Sequence, residues 1–506
     1  MAIKTATPVA APESLTAPGD LPGGEVNIAQ AVQRDSGENV FLCYQCKKCT
    51  SGCPVVDQMD LTPNQIMRAL QFGKRDLVLN SKTIWVCASC QTCTARCPQN
   101  IDIARVMDTL KIMAQREGVP AKVPAVIAFN QAALRGINLF GRMYELGLIG
   151  ELELKLLLTR QVKLEQLLDD SKLGVKMFLA GKLKPLPSIG RGRRKRAKRP
   201  SPGRGGEGGE VGVRSVAYYP GCSLHSTGIE FDMSTRAACK ALDLELVEPE
   251  DWVCCGTSPA HSTSHLLATV LPMKSLALAE DTGLEQLAVP CAACFSRFKT
   301  AIHDVEHDQQ LRDQVIAQTG YIWGGKVDVK HLVDTIVQKV GLAEIKSHVT
   351  HPLKGLKVVC YYGCLITRPP EITGAEHAEY PMVMDHLMQT LGAEVLDWSY
   401  KTDCCGGSLV FSQTGIALKL SNKILENAQQ VGAEAVVVAC PLCQANLDGR
   451  QEQIAKHFGV TYDLPIIYFT QLLGLAMGLP EKELGFRKEI VSPMTLLRNK
   501  GLLAPT

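Results

Sequence analysis

Hydrophobic and polar positions change rhythm several times along this 506-residue chain, and the changes divide it. Residues 1–38 are rich in Ala, Pro, Gly and Thr without apolar periodicity, which predicts a disordered tail. Within 39–118 a short helix is expected. Thr62-Pro63 supplies an N-cap followed by proline at the first helical position, Ile66, Met67 and Leu70 follow at helical spacing, and Gly73 can end it. Residues 119–185 carry Ile127, Leu134, Leu139, Leu146, Leu152 and Leu156 in a helical rhythm among charges, predicting packing helices that present a docking surface. The rhythm is lost in 186–213, a basic, Gly/Pro-rich linker containing RGRRKRAKRPSPGRGGEGGE. From 214 onward, β-branched or aromatic runs (216–219, 287–289, 358–362, 435–439) alternate with helical stretches such as 266–280 and 416–430. That alternation argues for α/β units with parallel sheets, at 214–350 and 351–480, before a C-terminal tail at 481–506.

The two α/β units are copies. Tyr218-Tyr219-Pro220-Gly221-Cys222 answers Tyr361-Tyr362-Gly363-Cys364, and Cys254-Cys255-Gly256 answers Cys404-Cys405-Gly406. Cys291-Ala-Ala-Cys294 answers Cys440-Pro-Leu-Cys443, all at offsets of 142 to 150 residues. Strand ends that run into cysteines are where open α/β sheets place their sites.

Eighteen of the twenty cysteines fall into four ordered sets. Two are near-copies of C-x2-C-x2-C-x3-C-P: Cys43, Cys46, Cys49, Cys53-Pro54 and Cys87, Cys90, Cys93, Cys97-Pro98. This is the bacterial ferredoxin run, in which three cysteines hold one cubane 4Fe–4S cluster and the fourth holds the other. Interleaved ligation assigns Cys43, Cys46, Cys49 and Cys97 to one centre, and Cys87, Cys90, Cys93 and Cys53 to the second. The remaining sets are Cys222, Cys254, Cys255, Cys291, Cys294 and Cys364, Cys404, Cys405, Cys440, Cys443. Soft thiolates select iron–sulfur clusters or zinc over hard cations. Five cysteines exceed what a cubane or a zinc ion needs, which leaves open an unusual cluster, a bridging thiolate or a free redox cysteine, with structural zinc as the alternative in one half. Cys239 and Cys360 stand outside the sets and read as small packed hydrophobes. His225, His261 and His265 lie near ligand cysteines; each could donate a proton to a leaving thiolate, but surface or capping roles are the stronger reading.

Composition narrows the classes. Apolar residues make up 46% and charged residues 21%, ordinary for a globular chain too long for one core. The N-terminus has no continuous apolar core, so no secretory signal is expected, and nothing approaches the ~18 apolar residues of a membrane span. A cytoplasmic protein, at most peripheral to the membrane through a partner, is therefore expected. The +3 formal charge ignores thiolates and names no partner, and the basic run 191–199 reads as solvated linker rather than a nucleic-acid site. No G-x-G-x-x-G follows a strand, so flavin or nicotinamide must come from elsewhere.

The stretches YYPGCSLHSTGIEFD, DWVCCG and PCAACFSRFK, with YYGCLITRPPEI, CCGGSL and ACPLCQANLDGRQ, resemble the B component of heterodisulfide reductase. The N-terminal block, with Cys43-Tyr-Gln-Cys46 and Ile84-Trp85-Val86-Cys87, is similar to the C component of the same enzyme. The order C then B is that of the fused D component, and the likeness covers roughly 39–180 and 214–475. The resemblance implies a helical ferredoxin-like dicluster domain followed by two α/β CCG halves. It implies two cubanes, then two noncubane 4Fe–4S clusters that flank and cleave a disulfide. The implied partners are a flavin-binding protein like the A component of heterodisulfide reductase, or a membrane cytochrome b. Related CCG-domain proteins also serve fumarate, glycolate or lactate oxidoreductases and benzoyl-CoA reductase complexes, where such a chain is an electron-transfer subunit. The linker and the 34-residue spacer between Cys405 and Cys440 depart from the family pattern and leave the substrate open.

Overall fold

The computed structural model describes residues 27–159, 164–192 and 214–504. Two four-stranded parallel sheets organise the C-terminal region. In half 1, β1 (Arg214–Tyr218), β2 (Leu244–Val247), β3 (Gln286–Val289) and β4 (Asp328–His331) lie in the order β2-β1-β3-β4. In half 2, β5 (Lys357–Tyr361), β6 (Glu394–Val395), β7 (Ala435–Val438) and β8 (Ile466–Tyr468) repeat it as β6-β5-β7-β8. Helices cover both faces of a parallel sheet, so its central strands are apolar throughout rather than alternating. Every residue of β3 and β7 is accordingly buried. Register follows from these runs, with Ala217 opposite Leu287 and Val359 opposite Val436. Cys239 and Cys360 are wholly enclosed in this core, as expected of packed hydrophobes.

The halves share one continuous hydrophobic core. Phe231, on the helix α7 (Ile229–Ala241) of half 1, stacks on Tyr468 of half 2 at 4.2 Å and meets Phe469 edge-on. Ser234 and Thr470 hydroxyls hydrogen-bond beside them at 2.7 Å. The C-terminal segment joins the same core: Leu484, Phe486 and Leu497 are fully buried. The expectation of a tail at 481–506 is thus corrected for 481–504, because three large apolar side chains that follow no sustained period are still buried in the shared core.

The N-terminal domain has its own core. The expected helix forms as α2 (Pro63–Gln71), with a capping box between Thr62 and Gln65 and with Ile66, Met67 and Leu70 buried. A second correction concerns 1–38. Helix α1 (Ile28–Ser36) is capped by Asn27 and inserts Ile28, Ala29 and Val32 against α3 (Ile103–Arg116). Its single apolar stripe is only two turns long, too short to register as periodicity. Residues 1–26 lie outside the described residues, as does the linker from 193 to 213. Gly190 and Gly192 amides, by contrast, hydrogen-bond to Phe140 and Asp251 carbonyls, so the linker's first residues are docked.

Residues 119–185 form α4 (Pro124–Phe140), α5 (Glu145–Leu158) and α6 (Leu164–Leu179). Among the described residues no helix is long and apolar enough to cross a membrane.

Candidate iron–sulfur site

The two ferredoxin-type loops have one backbone trace. Gln45 and Lys47 in the first, and Ser89 and Gln91 in the second, hold positive φ between +48° and +64°. Non-glycine residues adopt this region at a cost and persist there when their surroundings demand it. Here the same two positions between the cysteines bear it in both loops. Asp60 ties the loops together, accepting hydrogen bonds from Ser81 and Thr83 hydroxyls and from the amides of Lys82 and Thr83. Gln71 of α2 donates to the carbonyls of Val40 and Cys43. The sulfurs interleave. Cys53 feels Cys90 and Cys87 of the other run, Cys93 feels Cys87, Cys90 and Cys53, and Cys97 lies with Cys46 near Tyr44. Burial raises the thiols of Cys49, Cys53, Cys87 and Cys93 above their ordinary values, with neighbouring sulfurs adding to it.

Each α/β half brings its five cysteines to the carboxyl ends of its strands. Cys222 and Cys364 follow β1 and β5, and Cys291 and Cys440 follow β3 and β7. The last two also stand at the N-caps of α8 (Ala292–His307) and α9 (Pro441–Gly449), where the helix dipole favours a thiolate. Cys255 Sγ and Cys294 Sγ are 3.1 Å apart, and the equivalent Cys405 and Cys443 sulfurs 3.7 Å. Hydrogen bonds from Cys222 and Cys255 hold the Cys254 thiol well below its ordinary value, and Cys291 and Cys443 do the same for Cys440. Cys222, Cys291, Cys294 and Cys443 are pushed up by the neighbouring sulfurs and by burial. The Gly256 and Gly406 amides point at Cys254 and Cys404 at 3.5 and 3.3 Å.

This donor set fits sulfur-ligated clusters. Gly221 and Gly363 have φ of +72° and +73°, and a Cβ there would stand 3.2 Å from Cys294 Sγ and 3.0 Å from Cys443 Sγ. Only glycine keeps that side of the sulfurs open. Among the described residues no three His, Cys, Asp or Glu side chains converge as a single-ion site requires; the sulfurs form a series of near neighbours. Two positioning residues escape a cysteine-centred reading. Tyr219 donates to the Val253 carbonyl and Tyr361 to that of Asp403, each bracing the residue before a Cys-Cys pair. Their signal was the tyrosine repeated three residues before Cys222 and Cys364.

The sets connect. The Cys90 thiol of the dicluster domain and the Cys404 thiol of half 2 are neighbours that act on one another electrostatically, as are Cys440 of half 2 and Cys291 of half 1. Around the first junction, buried Arg368 donates to Thr92 Oγ1 at 2.8 Å and Ser408 to the Ala88 carbonyl at 3.0 Å. Half 1 meets the same domain through His261 Nδ1 and Asp108 Oδ2 at 2.7 Å, with Lys111 Nζ 3.1 Å from the other Asp108 oxygen. His265 pairs with Thr109 and His225 with Glu248, so all three histidines hold the architecture together.

A cavity of about 250 Å³ opens between α4, α5 and α6 and the halves. Four cysteines of half 1 besides Cys222 line it, making all five, and none of half 2 does. The helices expected as packing elements are its roof. Glu145, at the start of α5, accepts from the Thr227 amide and hydroxyl, while burial raises its carboxyl to about 7.

Comparison with known proteins matches residues 42–102 to the 4Fe-4S dicluster domain, and 216–299 and 358–448 to the cysteine-rich domain CCG. The chain is 34% identical over 286 residues to the 8-methylmenaquinol:fumarate reductase membrane anchor subunit of Wolinella succinogenes, covering 56% of this chain and 99% of that one. This chain belongs to the CCG-domain iron–sulfur proteins. Another member, the B component of the Methanosarcina acetivorans ferredoxin/F420H2-dependent CoB-CoM heterodisulfide reductase, is 26% identical over 56% of this chain and 96% of its own length. Lactate utilization protein A 1 of Bacillus cereus is 24% identical over 49% and 95%. A solved structure of a hypothetical protein from Helicobacter pylori shares the fold, with a TM-score of 0.55 and 10% identity over 92% of this chain and 75% of that one. The CCG-domain architecture confirms the expected mixed α/β multidomain class and iron–sulfur electron transfer, and two of these relatives are named as subunits of larger complexes.

Proposed function

We propose that this CCG-domain protein passes single electrons through two cubane 4Fe–4S clusters to a paired CCG site that reduces a disulfide, or in reverse oxidises two thiols. The observation that carries this reading is that Cys90 neighbours Cys404, Cys440 neighbours Cys291, and the half 1 cysteines open on a cavity that a substrate can occupy. The ten CCG cysteines would hold two noncubane clusters, and iron held by the half 1 set, which lines the cavity, would supply a soft acceptor for a cleaved sulfur. The chain's own part is to group the thiolates, keep water from them and open a side by Gly221 and Gly363. A flavoprotein like the A component of heterodisulfide reductase is the first candidate donor, and a membrane cytochrome b the second.

Anaerobically purified protein is expected to hold roughly sixteen iron atoms, to consume disulfides with a viologen donor, and to develop a new paramagnetic signal with substrate thiol. Iron near eight with one or two zinc ions per chain would make the C-terminal halves structural. A second reading, a relay to a catalytic partner, is favoured by the placement of the half 2 sulfurs between the dicluster domain and half 1. Normal reduction by a partner without a signal from any thiol would favour it.

A further inference from the structure

The cavity has a chemical character that the cysteines do not dictate. Its roof is Leu148, Ile149, Leu152 and Leu156 of α5 with Leu173 and Met177 of α6. These positions recur at one-turn intervals, so each helix turns a continuous apolar stripe inward. Phe129 of α4 stacks on Phe411 of half 2 at 5.8 Å and contributes another apolar wall. The charged groups among the lining residues are Glu145, Glu153, Asp170 and Arg450. Arg450 is the one cation among the described lining residues, and it is spent on Asp170 Oδ1 at 3.2 Å and Gln453 Oε1 at 2.6 Å. The floor is the five cysteines of half 1.

An anionic substrate would therefore leave water for apolar walls that carry three acidic side chains, with no unpaired cation among the described lining residues to receive it. Burying such a charge is expensive, and surroundings of like sign select against it. A neutral molecule with an apolar body meets neither penalty and gains from the leucine roof.

We infer that the cavity takes a neutral, lipophilic disulfide, or the two corresponding thiols, with its sulfurs toward Cys222, Cys254 and Cys291 and its body under α5 and α6. This rests on the proposed disulfide chemistry and adds the substrate class. In the reductive direction two electrons from the dicluster side and two protons from solvent break the S–S bond and yield two thiols. The reductant is an external one-electron donor.

Lipoamide and lipoate share one cyclic disulfide and differ in charge, so they separate the claims. With the anaerobic, cluster-loaded full chain and reduced methyl viologen, kcat/KM for lipoamide is expected to exceed that for lipoate at least tenfold. Leu152→Lys is expected to bring the ratio toward one. The wild-type ratio decides alone if that variant loses iron or fold. Equal values, or a preference for lipoate, would overturn the substrate class and leave the disulfide reading standing. No turnover of either, with oxidation of the reduced protein by menadione, would sink the disulfide reading while keeping a neutral lipophilic redox partner. No reaction with any of the three would overturn both.

Discussion

Halves 1 and 2 use the same strand order, the same tyrosine brace and the same glycine facing the last cysteine. Their surroundings differ. Half 2 sets Cys404 against Cys90 and lends the cavity no cysteine, giving it Arg450, a few neutral polar groups and apolar side chains, whereas half 1 lines it with all five of its cysteines. Duplication thus kept the cysteine set while neighbouring elements gave each copy a position, one against the dicluster domain and one against the cavity.

The largest expected effects test that division directly. Cys255→Ser and Cys405→Ser should each lower disulfide turnover on the order of 100-fold or more, because serine is a harder, less acidic ligand. The N-terminal cubane signals should persist in both. Only Cys405→Ser should retain the thiol-induced signal, since its lesion lies on the supply side; equal loss in both variants would erase the distinction between halves.

Next in size is the dock of half 1. Asp108 is buried between His261 and Lys111, which depress its carboxyl. Asp108→Asn removes the partner of a buried lysine and should cost about 3–5 kcal/mol in denaturant unfolding. A change under about 1 kcal/mol would show that water reaches Lys111.

Glu145 tests the cavity wall. Its folded pKa of about 7 lies above the ordinary 4.5, so the folded state binds the extra proton. Its contribution favours folding below pH 4.5 relative to higher pH, and that advantage is lost as pH rises through 7. The span is worth roughly 3 kcal/mol. Glu145→Gln should flatten this part of the stability profile measured from about pH 5 to 8, and an unchanged slope would mean that Glu145 is solvated.

The smallest effect concerns the junction with half 2. Arg368 bonds Thr92 Oγ1 and both the carbonyl and hydroxyl of Thr402. Arg368→Ala should destabilise by about 1–3 kcal/mol and slow single-turnover reoxidation of the cubanes. Unaltered kinetics would show that the Cys90 and Cys404 contact needs no brace.

The cysteine spacings, the duplicated strands and the Thr62-Pro63 helix start were legible in the sequence because each is a local pattern with one physical cause. The two ends were not. Ile28, Ala29 and Val32 make too short a stripe, and Leu484, Phe486 and Leu497 have no period, yet both groups are buried through tertiary packing. The rhythm of 119–185 announced helices without saying what they cover. Leu148, Leu152 and Leu156 would read the same over a solid core as over a cavity, since periodicity reports which face turns inward and not what lies beneath it.

Phe231 stacked on Tyr468 has a consequence for ancestry. Either half alone would leave its side of that stack, Phe231 on one and Tyr468 with Phe469 on the other, as an uncovered aromatic face that invites a partner. Fusion made such a pairing permanent at a fixed one-to-one ratio. Once covalently joined, the copies no longer had to remain identical to recognise each other, and each was free to specialise.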